Sequence, residues 1–221
     1  MSDQSTPAVR VLVVEDNALV RAGLLRALET EVDGATVGTA GTLAAARRAT
    51  ADLSPDVVLL DHVLPDGEGA EAVAELVALA PAAAVVMLTA TGSPAVLRTA
   101  VEGGAAGFVL KSSGHAAIFD ALRAAVRGDA AMGAEPLGEL LTRAARDPRP
   151  VPREVSAEDR VLLVLLSRGL GIAGAAARLD LPQEDVAGRV RAVSTTLAGR
   201  STLEALVIAV RGGVIPPPSA A

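Results

Sequence analysis

A chain of 221 residues is long for one domain and comfortable for two of about 100 residues each, and its 51% apolar content supplies real cores. The absence of cysteine excludes disulfides, thiolate metal sites and cysteine nucleophiles, and two Phe with no Tyr or Trp argue against stacking on exposed bases. A formal net charge of -6 argues against non-specific coating of nucleic acid.

The N-terminal MSDQSTPAVR has no charged-then-apolar signal layout. The longest weakly polar run, about 76–90, is broken by Pro81 and is too short to span a bilayer. A soluble cytoplasmic protein with no membrane association is expected. Residues 9–127 then alternate short apolar runs with amphipathic stretches. The runs are VRVLVV (9–14), ATVGTA (35–40), DVVLL (56–60), AAVVML (83–88) and AGFVL (106–110), and the stretches are 17–31, 42–53, 68–79, 93–104 and 115–127. Continuously apolar strands are buried on both faces, which predicts an α/β domain: a five-stranded doubly wound parallel sheet between helices.

Residues 128–154 read as a linker with a short helix, PLGELLTRAAR (136–146), followed by the semi-rigid DPRPVPRE. Residues 155–215 carry no strand signal and predict a small all-α module of four short helices. Ser156 with Asp159 resembles a capping box, Gly169 breaks the first helix, Pro182 suits a first turn, and Ser201 or Thr202 caps the last helix. The tail IPPPSAA is expected to be disordered. Residues 1–150 hold 12 basic and 19 acidic side chains, net -7, and the rest hold 8 and 7, net +1, which suggests two modules with different tasks.

The polar residues that follow the apolar runs form a pattern. VLVV is followed by Glu15 and Asp16, VVLL by Asp61, VVML by Thr89 and GFVL by Lys111, the only lysine in the chain. In a parallel sheet these positions share the carboxyl edge, where open α/β sheets place ligands. Crowded carboxylates repel one another unless a hard cation sits among them, and Mg²⁺ takes oxygen ligands. A carboxylate also attacks phosphorus, and a hydroxyl, Mg²⁺ and a compact ammonium stabilise the phosphoryl charge that results. Singly, each residue has a plainer explanation: Asp16 as cap of 17–31, Asp61 as a turn residue in DHVLPDGEG, Thr89 as a cap, Lys111 as solvated surface. Jointly those explanations weaken, because each residue falls at the correct end of its strand.

VVEDN, VVLLDHVLPDGEG, VVMLTA and GFVLKSS, in this order and spacing, resemble a response-regulator receiver domain (flavodoxin-like) over residues 9–127. Within that class the chain is most similar to the NarL/FixJ family, in which a LuxR-type helix-turn-helix follows. The resemblance implies that Asp61 accepts a phosphoryl group from a sensor histidine kinase. It implies that Asp16 ligates Mg²⁺, with Glu15 acting through water and Asp61 and the backbone carbonyl of Val63 completing the set. It places Thr89 and Lys111 on phosphoryl oxygens and Phe108 at the switch aromatic, where an ordinary core Phe is the plainer alternative. Val63 stands where relatives often carry a polar residue that orients hydrolytic water, and Thr91 is a weak substitute, so a long-lived phosphoryl state and only slow autodephosphorylation are expected. Ser112 follows Lys111 where many receivers have proline. His62 and His115 read as solvated side chains, and the chain lacks a P-loop and a GxGxxG after the first strand. A turnover enzyme is not expected: an aspartate-nucleophile hydrolase usually carries a second acid two residues after the nucleophile, where Val63 stands.

Residues 155–209 resemble the LuxR-type output domain, with a recognition helix at about 182–196. Its apolar stripe faces inward and leaves Arg189 and Arg191, with Arg178 on the preceding helix, as candidate DNA contacts. Family members commonly place lysine near 173 and 187, where this chain has Ala173 and Ala187. Gly188 costs the helix about 1 kcal/mol relative to Ala, and Asp185 is placed to pair with Arg189. A shallow salt slope of roughly -3 or weaker follows if only these arginines touch phosphate. The expected function is transcriptional control through DNA, with a homodimer forming on phosphorylation. The rival is an adaptor whose degenerate helix-turn-helix binds a protein.

Overall fold

Strands buried on both faces need helices on both, and the chain supplies them in alternation. The computed structural model describes residues 9–31, 35–90, 93–151 and 154–218. In order these form β1 (Arg10–Val14), α1 (Ala18–Glu31), β2 (Thr36–Ala40), α2 (Leu43–Leu53), β3 (Val57–Asp61), a small hairpin β4 (Val63–Leu64) and β5 (Gly67–Glu68), α3 (Gly69–Leu79), β6 (Ala84–Thr89), α4 (Pro94–Glu102), β7 (Gly107–Leu110) and α5 (Gly114–Arg127). Five strands pair in parallel in the order β2-β1-β3-β6-β7. Successive side chains of β1 alternate between two cores. Val11 and Val13 pack with Leu24 and Leu28 of α1 and Phe119 and Leu122 of α5, while Leu12 and Val14 pack with α2 and α3 through Ala46, Val73 and Leu76.

Five helices complete the described chain: α6 (Ala134–Ala144), α7 (Ala157–Ser167), α8 (Ile172–Leu179), α9 (Gln183–Thr196) and α10 (Thr202–Arg211). Ser156 caps α7 by accepting from Asp159 N at 3.1 Å, and Ser201 caps α10 by accepting from Glu204 N at 3.1 Å, as the sequence predicts. The stretch read as a linker departs from that description. Its helix packs against α7 and α10 through buried Leu137, Leu141 and Ala144, and Ala131 bridges to Gly107 at the edge of the sheet. The tail departs too: Ile215 is buried in the helical core, so order extends further than the Pro-rich composition implies. Pro152 and Arg153 of the linker and residues 219–221 of the tail lie outside the described residues. The core that begins on the α2–α3–α4 face of the sheet continues without a break into the helical module. Among the described residues no helix is long and apolar enough to cross a membrane.

Candidate functional site

Parallel pairing in register decides where the site falls. Asp61 ends β3 opposite Leu88 of β6, and Thr89 ends β6 opposite Leu110 of β7, so the residues that follow the apolar runs line one edge. Glu15 follows β1 and is 1% exposed, Asp61 and Thr89 are buried, and Asp16 is exposed at the rim. Lys111 opens a single 3-10 turn, Lys111–Ser113, directly after β7. Its Nζ lies 2.6 Å from Glu15 Oε2 and 2.7 Å from Asp61 Oδ2. Burial pulls the ammonium's pKa down, but hydrogen bonds and charge from Asp61 and Glu15 outweigh this and leave it above the ordinary lysine value. The one lysine of the chain therefore links the two buried carboxylates.

Carboxylate oxygens of Glu15, Asp16 and Asp61 lie within 4.8 Å of one another. Three carboxylates against one ammonium leave a local charge near -2 at this edge. An all-oxygen donor set with that excess fits a hard divalent cation. The N-terminal turn of α1 is capped by Asn17, whose Oδ1 accepts from Leu19 N at 3.0 Å, so Asp16 is not needed for that task. Val63 lies on the hairpin strand β4 and is 69% exposed. Thr89 and Phe108 line one cavity of about 800 Å³ between the β6–β7 edge and α6, with Phe108 itself buried. Thr91 lies outside the described residues.

Three supports of the site had no signal in the sequence pattern. Arg21 Nη1 donates to the carbonyls of Glu15 at 2.5 Å and Asp16 at 3.1 Å, fixing the loop that carries both acids. Asp66, in the hairpin turn, accepts from Leu43 N at 2.8 Å and Ala44 N at 2.9 Å and so caps α2 from a distance. Those two backbone donors hold its carboxyl below the ordinary value. Gly69 brings its backbone so close to Asp61 that a Cβ there would sit 2.0 Å from the Asp61 carbonyl oxygen. One expectation needs correcting: His62 is not solvated, because its side chain is only 15% exposed and lies 3.9 Å from Glu68.

The residues predicted as DNA contacts differ in exposure. Arg178 and Arg191 are exposed on α8 and α9, while Arg189 is half-buried. Arg189 does not pair with Asp185; its Nε faces Asp159 Oδ1 of α7 at 3.9 Å, because the tertiary neighbour comes closer than the residue four positions back on the helix.

A parallel sheet with an acid triad and a lysine at its carboxyl rim, followed by a helical module, defines a two-module receiver protein. Residues 11–123 match the response regulator receiver domain, and the chain belongs to the response-regulator family. It is 30% identical to the probable transcriptional regulatory protein NarL of Mycobacterium tuberculosis over 211 residues, 96% of this chain and 98% of that one. The signal receiver domain of the putative response regulator NarL from M. tuberculosis superimposes with a TM-score of 0.51 and 35% identity, covering 55% of this chain and 98% of that one. RcsB of Salmonella enterica serovar Typhimurium, solved bound to a promoter in the presence of the phosphomimetic BeF3-, shares the two-module fold. It has a TM-score of 0.51 and 18% identity, and covers 93% of this chain and 99% of that one. The chain's relatives are transcriptional regulators of the NarL/LuxR type, and its CheY-like receiver fold with a helical C-terminal region matches theirs.

Proposed function

We propose that this protein is a phosphorylation-controlled transcriptional regulator whose phosphoacceptor is Asp61. The observation that carries this is the single ammonium bridging Asp61 and Glu15 beside Asp16 at the carboxyl edge of the sheet. An oxygen of Asp61 attacks the phosphorus of a kinase phosphohistidine. The P–N bond breaks as the P–O bond forms, and the imidazole leaves with the electron pair and takes up a proton. Mg²⁺, held by Glu15, Asp16, Asp61 and the Val63 carbonyl, would neutralise phosphoryl oxygens. Lys111 exchanges its contact with the Asp61 carboxylate for one with a phosphoryl oxygen, and Thr89 donates to another. The cavity beside Phe108 gives that ring room to turn when Thr89 moves, which alters the face toward α6. The exposed, apolar Val63 has no atom to orient hydrolytic water, which favours a long-lived phosphoryl group.

The output is DNA binding by the helical module, with α9 as the reading helix and Arg178 and Arg191 on phosphates. RcsB, which shares the two-module fold, is solved bound to promoter DNA, and a dimer formed on phosphorylation would present two such helices. An adaptor that binds a protein has one observation in its favour: the first turn of α9 carries Glu184 and Asp185, and Arg189 is turned toward Asp159. The test is incubation with Mg²⁺ and a small phosphodonor, followed by binding to a genomic DNA library at two salt concentrations. Phosphorylation-dependent capture of DNA that weakens with salt supports the regulator; salt-insensitive protein binding without DNA capture supports the adaptor.

A further inference from the structure

The output module is joined to the receiver at the N-terminal ends of α8 and α10 and by an ion pair from the last residue of α10. Ser201 Oγ, while capping α10, also donates to Ala105 O at 2.7 Å, and Thr202 Oγ1 donates to Gly128 O at 2.6 Å. Arg200 reaches the Glu102 carbonyl, and Arg211 pairs with the Glu102 carboxylate at 2.9 Å. The contact at α8 is of another kind. The cap position of α8 is Gly171, which has no side chain to offer, and a glycine cap leaves the first-turn N–H groups to find acceptors elsewhere. The acceptor is supplied across the module boundary. Asp129, buried just past α5, accepts the N–H of Ile172 through Oδ1 at 2.6 Å, while Arg127 Nε holds Oδ2 at 3.0 Å. The glycine and the carboxylate fit one another: a Cβ at residue 171 would lie 3.0 to 3.1 Å from the Asp129 carboxylate, so a residue able to cap α8 locally would crowd the acid that caps it now.

We infer that the Asp129 end of the receiver is a capping surface for the output module, so that α8 is fully ordered only while the two modules are docked. A carboxylate at a helix N-terminus satisfies a buried donor and complements the helix dipole, and both contributions go when the modules separate. Parting the modules then loosens the first helix of the proposed reading motif. Whatever engages the freed module, nucleic acid or protein, has to restore that order itself, which couples partner binding to docking. The inference concerns the junction and stands apart from whether Asp61 is phosphorylated.

The test uses the full chain without phosphodonor, followed by amide hydrogen exchange. Asp129→Ala should raise exchange at Ile172 and the next residues of α8 about fivefold, the population change expected from loss of a helix cap, with the β1 and β3 amides as the control for folding. Asp129→Ala with Gly171→Ser should regain α8 protection, because the serine caps locally and no longer meets the acid. Gly171→Ser alone, which does not depend on the alanine variant folding, should keep α8 protected while loosening the junction. The chain has no native cysteine, so spin labels on Val126→Cys and Ala177→Cys can report the junction as a broadened distance distribution. Unchanged α8 exchange in a folded Asp129→Ala chain, failure of the serine to restore protection, or an undisturbed junction in Gly171→Ser would each overturn the inference.

Discussion

The receiver rim and the output helices handle charge in opposite ways. At the rim, five polar groups from four strand ends share one edge, and the lysine among them links two carboxylates that are almost wholly withdrawn from water. On α8 and α9 the arginines are spread over exposed faces, and one is held by an acid of α7. Backbone topology explains the contrast. A parallel sheet places all its strand ends on one edge whatever the loops do, whereas a helix face acquires a binding pattern only through side-chain choice. The rim therefore reads as a dedicated chemical site, and the helical module as a surface whose affinity is modest and adjustable.

That contrast can be broken most sharply at the lysine. Lys111→Ala should lower the rate of phosphoryl uptake from a small donor by about 10² to 10³, the usual cost of losing a group aimed at developing charge. Lys111→Arg should recover little of it, because the planar fork fits the space between Glu15 and Asp61 poorly. Rates in a stopped reaction with mass detection check both. The raised pKa of Lys111 means that its stabilising contribution is present throughout neutral pH and is lost only as pH rises through that raised value. The stability difference between wild type and Lys111→Ala should accordingly be flat between about pH 6 and 8.

A smaller effect is expected at Val63. Val63→Asn supplies a polar group beside the acceptor and should shorten the phosphoryl lifetime by about tenfold, followed as loss of the phosphorylated mass with time. Asp66→Asn tests the support of the rim rather than its chemistry. Its carboxyl is held below the ordinary 3.8 by the α2 donors, so its contribution is present above that value and fades as pH falls through the lowered one. The variant should melt earlier than wild type at neutral pH, and the two should converge in acid. The smallest effect belongs to the output face. Asp159→Ala frees Arg189, and the dependence of DNA affinity on salt should steepen by about one phosphate contact.

The rim was legible in the sequence because it obeys a rule with a short reach: the residue after each buried strand lies at the carboxyl edge. The sheet, its ten alternating segments and the four output helices were legible for the same kind of reason, since period and capping are local. What escaped was every contact between a side chain and a distant backbone group. Arg21 on the Glu15 and Asp16 carbonyls, Asp66 on the first turn of α2 and Asp129 on the first turn of α8 are held by tertiary placement, and no spacing announces them. The same holds for Ile215, which follows Val214, precedes three prolines and docks into a core built elsewhere. Arg189 shows how a local rule fails: the acid four residues back on its helix lost to Asp159 across the module.

Phosphoryl transfer to one named carboxylate is the most direct test of the account. The full chain is incubated with Mg²⁺ and a small phosphodonor, then reduced with borohydride and mapped by peptide mass. The modified residue should be Asp61, with no incorporation in Asp61→Asn or without the metal. Modification of another acid, or incorporation that survives Asp61→Asn, would contradict the account.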